Sequence, residues 1–155
     1  MSRLPGWQPF AVAHLVLAAT WLGAMVYSLG VVQPKVAAFF ADGRRREEFL
    51  TVLAQGNRWP VVGLVAGLLA TGAAVVATAP AAVATGFAAA LGLQLAAAVV
   101  FGQVSWRHWP ARVFALPEEV AGFQRRLRAL AWTMLGLLGG SFLVALAVSV
   151  GAAPG

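Results

Sequence analysis

Four long apolar runs limit what this chain can fold into more than any other feature of its sequence. They cover residues 10–32, 61–79, 81–104 and 129–150. A helix rises about 1.5 Å per residue and the hydrocarbon core of a bilayer is about 30 Å thick, so about 20 residues cross it. The runs lack the period-two alternation of a membrane barrel strand. The sequence therefore predicts an all-α, integral membrane four-helix bundle that forms one domain over residues 1–155.

The composition supports lipid rather than water as the surrounding solvent. Of the 155 residues, 61% are hydrophobic and only 10% are charged, whereas a soluble domain needs a more charged exterior. The net charge of +6 is carried by short segments between the apolar runs. We therefore expect a bilayer with anionic lipid at the cytoplasmic face as the partner, and no nucleic acid. Cysteine is absent, which excludes disulfides and thiolate metal sites.

The basic residues predict how the chain is oriented in the membrane. All but one of the 11 lie in two connections, residues 33–60 and 105–128. The densest clusters are Arg44, Arg45 and Arg46 in the first and Arg125, Arg126 and Arg128 in the second. The positive-inside rule places both connections in the cytoplasm and both termini outside. Because arginine outnumbers lysine ten to one and alanine is abundant, we expect a multi-pass protein of a bacterial cytoplasmic (inner) membrane.

Both connections also carry helix signals. The segment after Pro34 extends the first helix, and Asp42 is a suitable cap for a short interfacial helix with an apolar stripe of Phe49, Leu50 and Leu53. Pro117, followed by two acidic residues, predicts the start of a helix that runs into the fourth span.

Small residues mark the faces on which membrane helices pack. Gly63 and Gly67 are four residues apart in the second run, and Gly136 and Gly140 are four apart in the fourth. These strips predict close packing within the bundle or against a membrane-protein partner or a second copy of the chain.

Polar residues form one stripe on each of two helices. At 100° per residue, Trp21, Met25 and Ser28 fall close to the direction of His14. The third helix has a similar stripe, made of Gln94, Phe101, Ser105 and His108. Both stripes should face the bundle interior, because polar atoms facing lipid are costly.

His14 is the best candidate functional residue, and three roles are open to it. These roles are a neutral imidazole hydrogen-bonded to a neighbouring helix or to a water near the surface, an axial haem ligand, and a transient metal or proton site. Trp21 and Met25 are the other candidate cofactor-binding residues. Met25 lies about 16 Å from His14 along the helix at 1.5 Å per residue, so if both bind metal they form separate sites. We assign no catalytic residue and do not expect an enzyme.

The first helix resembles the CopD-like (copper-resistance protein D) superfamily of small four-helix bacterial membrane proteins. The resemblance rests on His14, on "WLGAM" with Trp21 and Gly23, and on Val32 and Pro34. It implies copper handling, although relatives often carry a histidine where this chain has "RRLRAL". A fainter likeness to HemJ-type protoporphyrinogen oxidases implies that His14 binds haem b.

The resemblances and the sequence together leave three function classes. The first is an inner-membrane protein of CopD-like type that handles copper or another metal. The second is a haem-binding redox protein that uses His14. The third is a non-catalytic accessory or assembly subunit of a larger membrane complex, consistent with the absence of carboxylates from the apolar runs.

Overall fold

Four long helices make up the computed structural model, which describes residues 6–113 and 119–152 and, at 112 and 113, the backbone alone. They are α1 (Gln8–Phe39), α2 (Gly43–Thr78), α3 (residues 81–113) and α4 (Val120–Gly151). Each is long and apolar enough to cross a membrane, and the described residues contain no strand. The predicted all-α four-helix membrane fold is therefore confirmed.

Side-chain contacts show that successive helices run in opposite directions. At one end of the bundle, Trp7 near the start of α1 shares a core cluster with Val75 near the end of α2 and Val83 near the start of α3. At the other end, Arg58 of α2 bonds to Ser105 of α3. The two ends of the described chain thus lie together, at what we call the terminal end. The opposite end, where α2 and α4 begin with their arginine clusters, is the arginine end.

The buried positions follow the alternating three- and four-residue spacing of a left-handed helical bundle. This spacing keeps one narrow seam of each helix turned towards its neighbours. Along α1 the seam is Trp7, Ala11, His14, Ala18 and Trp21, and along α3 it is Val83, Phe87, Ala90, Gln94 and Ala97. Two of the five residues in each seam are alanine, and these small side chains let the helices approach closely.

The helices extend well beyond the apolar runs. The predicted extension of α1 past Pro34 is confirmed, as is the continuous passage of α4 into the fourth span. Asp42 caps α2 as predicted, since its Oδ1 accepts a hydrogen bond from the Arg44 amide at 2.8 Å. The separate interfacial helix is wrong, because α2 continues through Pro60 without a break. The predicted start at Pro117 lies outside the described residues.

Two π-helical segments interrupt the regular helices near the arginine end. They are Ser28–Val32 in α1 and Val104–His108 in α3. A π segment carries one extra residue per turn and rotates the side chains that follow it. In α1 no residue between Trp21 and Val36 is buried, so the regular seam ends before this segment.

Candidate functional site

His14 lies at the centre of a polar contact that joins three helices. Its side chain is completely buried. Nδ1 lies 3.1 Å from the backbone oxygen of Leu68 and 3.3 Å from the hydroxyl of Thr71, both on α2. Nε2 lies 3.1 Å from the amide nitrogen of Gln94 on α3. We call His14, Thr71 and Gln94 the histidine node.

The partners of the ring determine where its proton sits. The carbonyl of Leu68 can only accept, and the Thr71 hydroxyl donates to the Gly67 carbonyl at 2.8 Å, so both present lone pairs to Nδ1. Nδ1 therefore carries the hydrogen. Nε2 accepts from the Gln94 amide. The arrangement is that of a neutral imidazole with both nitrogens bonded inside the bundle.

Packing around the ring is as close as the hydrogen bonding. The Phe87 ring meets the imidazole edge-on, with 5.3 Å between centroids. A Cβ added at Gly72 would lie 2.9 Å from His14 Cε1 and 2.5 Å from Leu91 Cδ2. Because the imidazole is held at both nitrogens, it cannot move aside. Gly72 is therefore the residue that lets α2 approach the ring.

Two further polar contacts tie α3 to its neighbours. The Ser141 hydroxyl of α4 donates to the backbone oxygen of Ala90 at 3.0 Å, and both residues are completely buried. Near the arginine end, Arg58 Nη2 donates to the backbone oxygen of Ser105 at 2.6 Å. The Arg58 guanidinium also lies 5.0 Å from the centroid of Trp106. The α3 helix is thus bonded to α1, α2 and α4 at different depths.

Both predicted polar stripes turn inward, but they do not converge on one site. Five stripe residues are buried, namely His14, Trp21, Gln94, Ser105 and His108, whereas Met25, Ser28 and Phe101 are half-buried. The predicted inward direction is thus confirmed for the five buried residues. Trp21 meets Phe101 edge-on, and half-buried Met25 packs against the same apolar cluster. His108 meets the ring of Phe123 at the arginine end. Trp21 and Met25 therefore lie together, two to three turns of α1 away from the ring of His14.

The residues around His14 do not fit a haem or a copper ion. Ligation needs a nitrogen lone pair directed at open space, whereas the Nε2 lone pair is directed at the Gln94 amide. Phe87 and Gly72 occupy the space beside the ring. Among the described residues, no three His, Cys, Asp or Glu side chains form a group that could hold a metal ion.

The four predicted packing glycines divide into two kinds. A Cβ at Gly67 would meet Leu17 at 3.2 Å, and one at Gly140 would meet Leu93 at 3.6 Å, so both face a neighbouring helix. A Cβ at Gly63 or Gly136 would have no other atom of the described chain within 4 Å. Gly67 and Gly140 thus serve packing within the bundle, while Gly63 and Gly136 lie on its outer surface.

Sequence reasoning missed three residues on which the structure depends. Thr71 and Gly72 complete the surroundings of His14, and a Cβ at Gly86 would collide with the Val148 side chain. A single sequence does not show how far one helix is shifted along another, so it could not predict that Thr71 lies beside His14. Gly72 and Gly86 have no second glycine four residues away, so the spacing that predicted the other packing glycines does not indicate them.

The six arginines predicted to set topology all lie at the arginine end. Arg44 and Arg45 are strongly exposed, and Arg46 is half-buried against α4. Arg125, Arg126 and Arg128 lie on exposed positions of the first turns of α4. One end of the bundle therefore concentrates the positive charge.

Comparison of the chain with protein-family models, with curated proteins and with solved structures finds no match.

Proposed function

We propose that this multi-pass membrane protein is a non-catalytic accessory or assembly subunit of a larger membrane complex. The observation that carries the proposal is the closed histidine node. Among the described residues of the apolar runs, His14 is the buried ionisable group, and both its nitrogens bond to neighbouring helices. Its role is then to fix how α1, α2 and α3 fit together.

The outer surface provides a place for a partner helix. Trp59 is 71% exposed and Trp132 is 59% exposed. Each is followed four residues later by a glycine with open space around it, Gly63 and Gly136. Residues four apart share a helix face, so each helix presents a large ring beside a notch. Small residues of this kind allow a neighbouring helix to approach closely.

The size of the particle in native-lipid nanodiscs tests the association. We expect a complex heavier than the 16.1 kDa chain, with a second membrane protein in a fixed ratio. Gly63→Leu and Gly136→Leu should release the partner, because leucine fills the notch at positions where an added Cβ meets no other atom of the described chain within 4 Å. Gly92→Leu is the matched control, since Gly92 is also exposed with open space around it. A chain that runs alone, or equal disruption by Gly92→Leu, would contradict the proposal.

We further propose that the protein lies in a bacterial inner membrane with the arginine end in the cytoplasm and both termini outside. The support is the concentration of arginine at one end of the bundle. The chain has no cysteine, so one introduced thiol can be labelled uniquely. In intact cells, an impermeant maleimide should label Ala81→Cys and spare Arg45→Cys. The reverse pattern would invert the proposed orientation.

Two hypotheses compete with this proposal. The CopD-like resemblance implies copper handling, and the fainter likeness to HemJ-type proteins implies haem binding. Both require His14 to give up a hydrogen bond to α2 or α3. We expect purified protein from haem- and copper-replete cells to be colourless and free of stoichiometric metal. A Soret band lost in His14→Ala would favour haem. Bound copper lost in His14→Ala or Met25→Leu would favour the metal hypothesis.

A further inference from the structure

A cavity of about 470 Å³ opens between the four helices at the arginine end. Its volume lies within the range of small-molecule sites. The cavity adjoins both π segments, because Leu29 of Ser28–Val32 and Trp109, directly after Val104–His108, line it. Such segments occur frequently at functional sites. The cavity is well separated from the histidine node, since Leu29 follows His14 by four turns of α1.

The described part of the cavity's polar wall carries a net positive charge. Arg46 and Arg128 line it, and Glu47 is the carboxylate among the described lining residues. Glu47 Oε1 accepts a hydrogen bond from Gln124 at 3.0 Å and lies 4.0 Å from Arg46 Nε. The carboxylate is therefore held by Gln124 and Arg46, and the two guanidinium groups of Arg46 and Arg128 exceed it by one positive charge, which suits one anionic ligand. Guanidinium binds phosphate oxygens with paired, charge-assisted hydrogen bonds.

The remaining wall is apolar and aromatic. Leu50 and Leu127 supply aliphatic surface, and Trp109 and Trp132 supply two indole rings. Tryptophan is enriched at the level of lipid headgroups, where one end of the ring is wet and the other is in hydrocarbon. A charged wall facing an apolar one suits an amphiphile better than a fully hydrated anion.

A second, apolar groove borders α1 at Gly30, the residue that follows Leu29 of the cavity wall. It has a volume of about 510 Å³ and lies between α1 and α4, where Phe142 forms its far wall. Gly30 borders the groove, whereas its neighbour Leu29 borders the cavity. Gly23 continues the groove towards the middle of the bundle, and a Cβ at either glycine would have no other atom within 4 Å. The groove therefore has room for a hydrocarbon chain.

We propose that the arginine end is a binding site for one anionic phospholipid. Its phosphate lies between Arg46 and Arg128, and one acyl chain follows the groove past Gly30 and Gly23. The site does not depend on the proposed accessory role, because it uses neither the histidine node nor Gly63 and Gly136; it shares only Trp132 with the proposed partner face of α4. The apolar groove distinguishes the proposed lipid from free phosphate, which would use the arginines alone.

Native mass spectrometry of the full chain with added phosphatidylglycerol tests the charged half of the site. The double variant Arg46→Gln/Arg128→Gln should bind the lipid about tenfold more weakly, because charge-assisted bonds are lost. The control, Arg44→Gln/Arg45→Gln, removes the same charge from strongly exposed side chains that do not line the cavity. It should leave binding within about twofold. Equal weakening by both variants would overturn the proposal, because it would indicate general attraction to the arginine end.

The acyl half of the site has its own test. Gly23→Leu should weaken binding of a long-chain phosphatidylglycerol and leave the dihexanoyl form unaffected, because the leucine fills the groove alone. Inorganic phosphate at millimolar concentration should not compete. Competition by phosphate, or equal binding of the short- and long-chain lipids to the unmodified chain, would show that the arginines recognise phosphate without a lipid chain and would overturn the proposal. An unchanged melting temperature confirms that each variant is folded.

Discussion

The two halves of the bundle differ in how their polar groups are used. In the half towards the terminal end, the buried seam is regular and both ring nitrogens of His14 are bonded to neighbouring helices. Gln94 Oε1 is buried there without a hydrogen-bond partner among the described residues. In the half towards the arginine end, both π segments occur and a cavity separates the helices. Polar groups in the first half therefore fix the register of the helices. Those in the second half line a space that a ligand can enter.

Replacing His14 should give the largest loss of stability. His14→Ala removes both ring hydrogen bonds and leaves a cavity against Phe87, so we expect about 3 kcal/mol of destabilisation. Gln33→Ala is the contrasting change on the same helix, since Gln33 is exposed and lines the cavity. It should cost less than about 0.5 kcal/mol. Steric-trap unfolding in bicelles measures both, and equal costs would remove the difference between the halves.

Adding one methyl group to α2 should have the next largest effect, and it should depend on position. Gly72→Ala places a Cβ against the fixed imidazole and should cost about 2 kcal/mol. Gly63→Ala places the same methyl in open space, where the better helix propensity of alanine should stabilise the bundle by up to about 1 kcal/mol. The same unfolding measurement compares them. A stability loss at Gly63 equal to that at Gly72 would contradict the packing described.

A double-mutant cycle isolates the bond between His14 and Gln94. With His14→Leu, Gln94→Leu and the double variant, we expect a coupling energy of about 1 kcal/mol, as found for hydrogen bonds between membrane helices. The backbone bond of His14 to Leu68 contributes to both sides of the cycle and cancels. Additive effects of the two substitutions would show that the 3.1 Å contact has no energetic role.

The smallest effect is expected at the start of α2. Asp42→Ala removes the hydrogen bond to the Arg44 amide, and a lost cap costs about 1 kcal/mol locally. Because the cap lies at the end of a 36-residue helix, only its first turn should fray. Hydrogen exchange should become faster at residues 44–46, while the global unfolding midpoint stays the same. Exchange that also rises near residue 68 would show that the two halves unfold together.

The sequence predicted those features of the fold that are set within a single helix, namely its length and the side that faces inward. Apolar length predicted four helices, and the 3.6-residue period predicted that His14, Gln94 and Ser105 face inward. The separate interfacial helix was a wrong prediction, because α2 runs from Gly43 through Pro60 into the apolar run. Pro60 does not break the helix. It deprives only the carbonyl of Gly56 of its bond, and that position lies near the predicted edge of the bilayer, where water can bond it.

The rest depends on how several helices meet, which no single helix encodes. His14 and Gln94 were each predicted to face inward, but their pairing required the depth of α3 relative to α1. The cavity forms where all four helices and the two π segments meet at the arginine end. The hydrophobic periodicity of the sequence does not indicate either π segment. The same limit applies to Gly72. A larger residue is excluded there because the His14 ring of another helix lies against it.

Nitrogen NMR of the histidine side chains in lipid nanodiscs tests the closed node most directly. The chain has two histidines, so His14→Ala assigns the signals by subtraction. We predict a neutral His14 ring with hydrogen on Nδ1 and a lone pair on Nε2, hydrogen-bonded to the Gln94 amide. Hydrogen on Nε2 with Nδ1 bare, or a ring signal displaced by a metal, would contradict the role of His14 as an internal connection between helices.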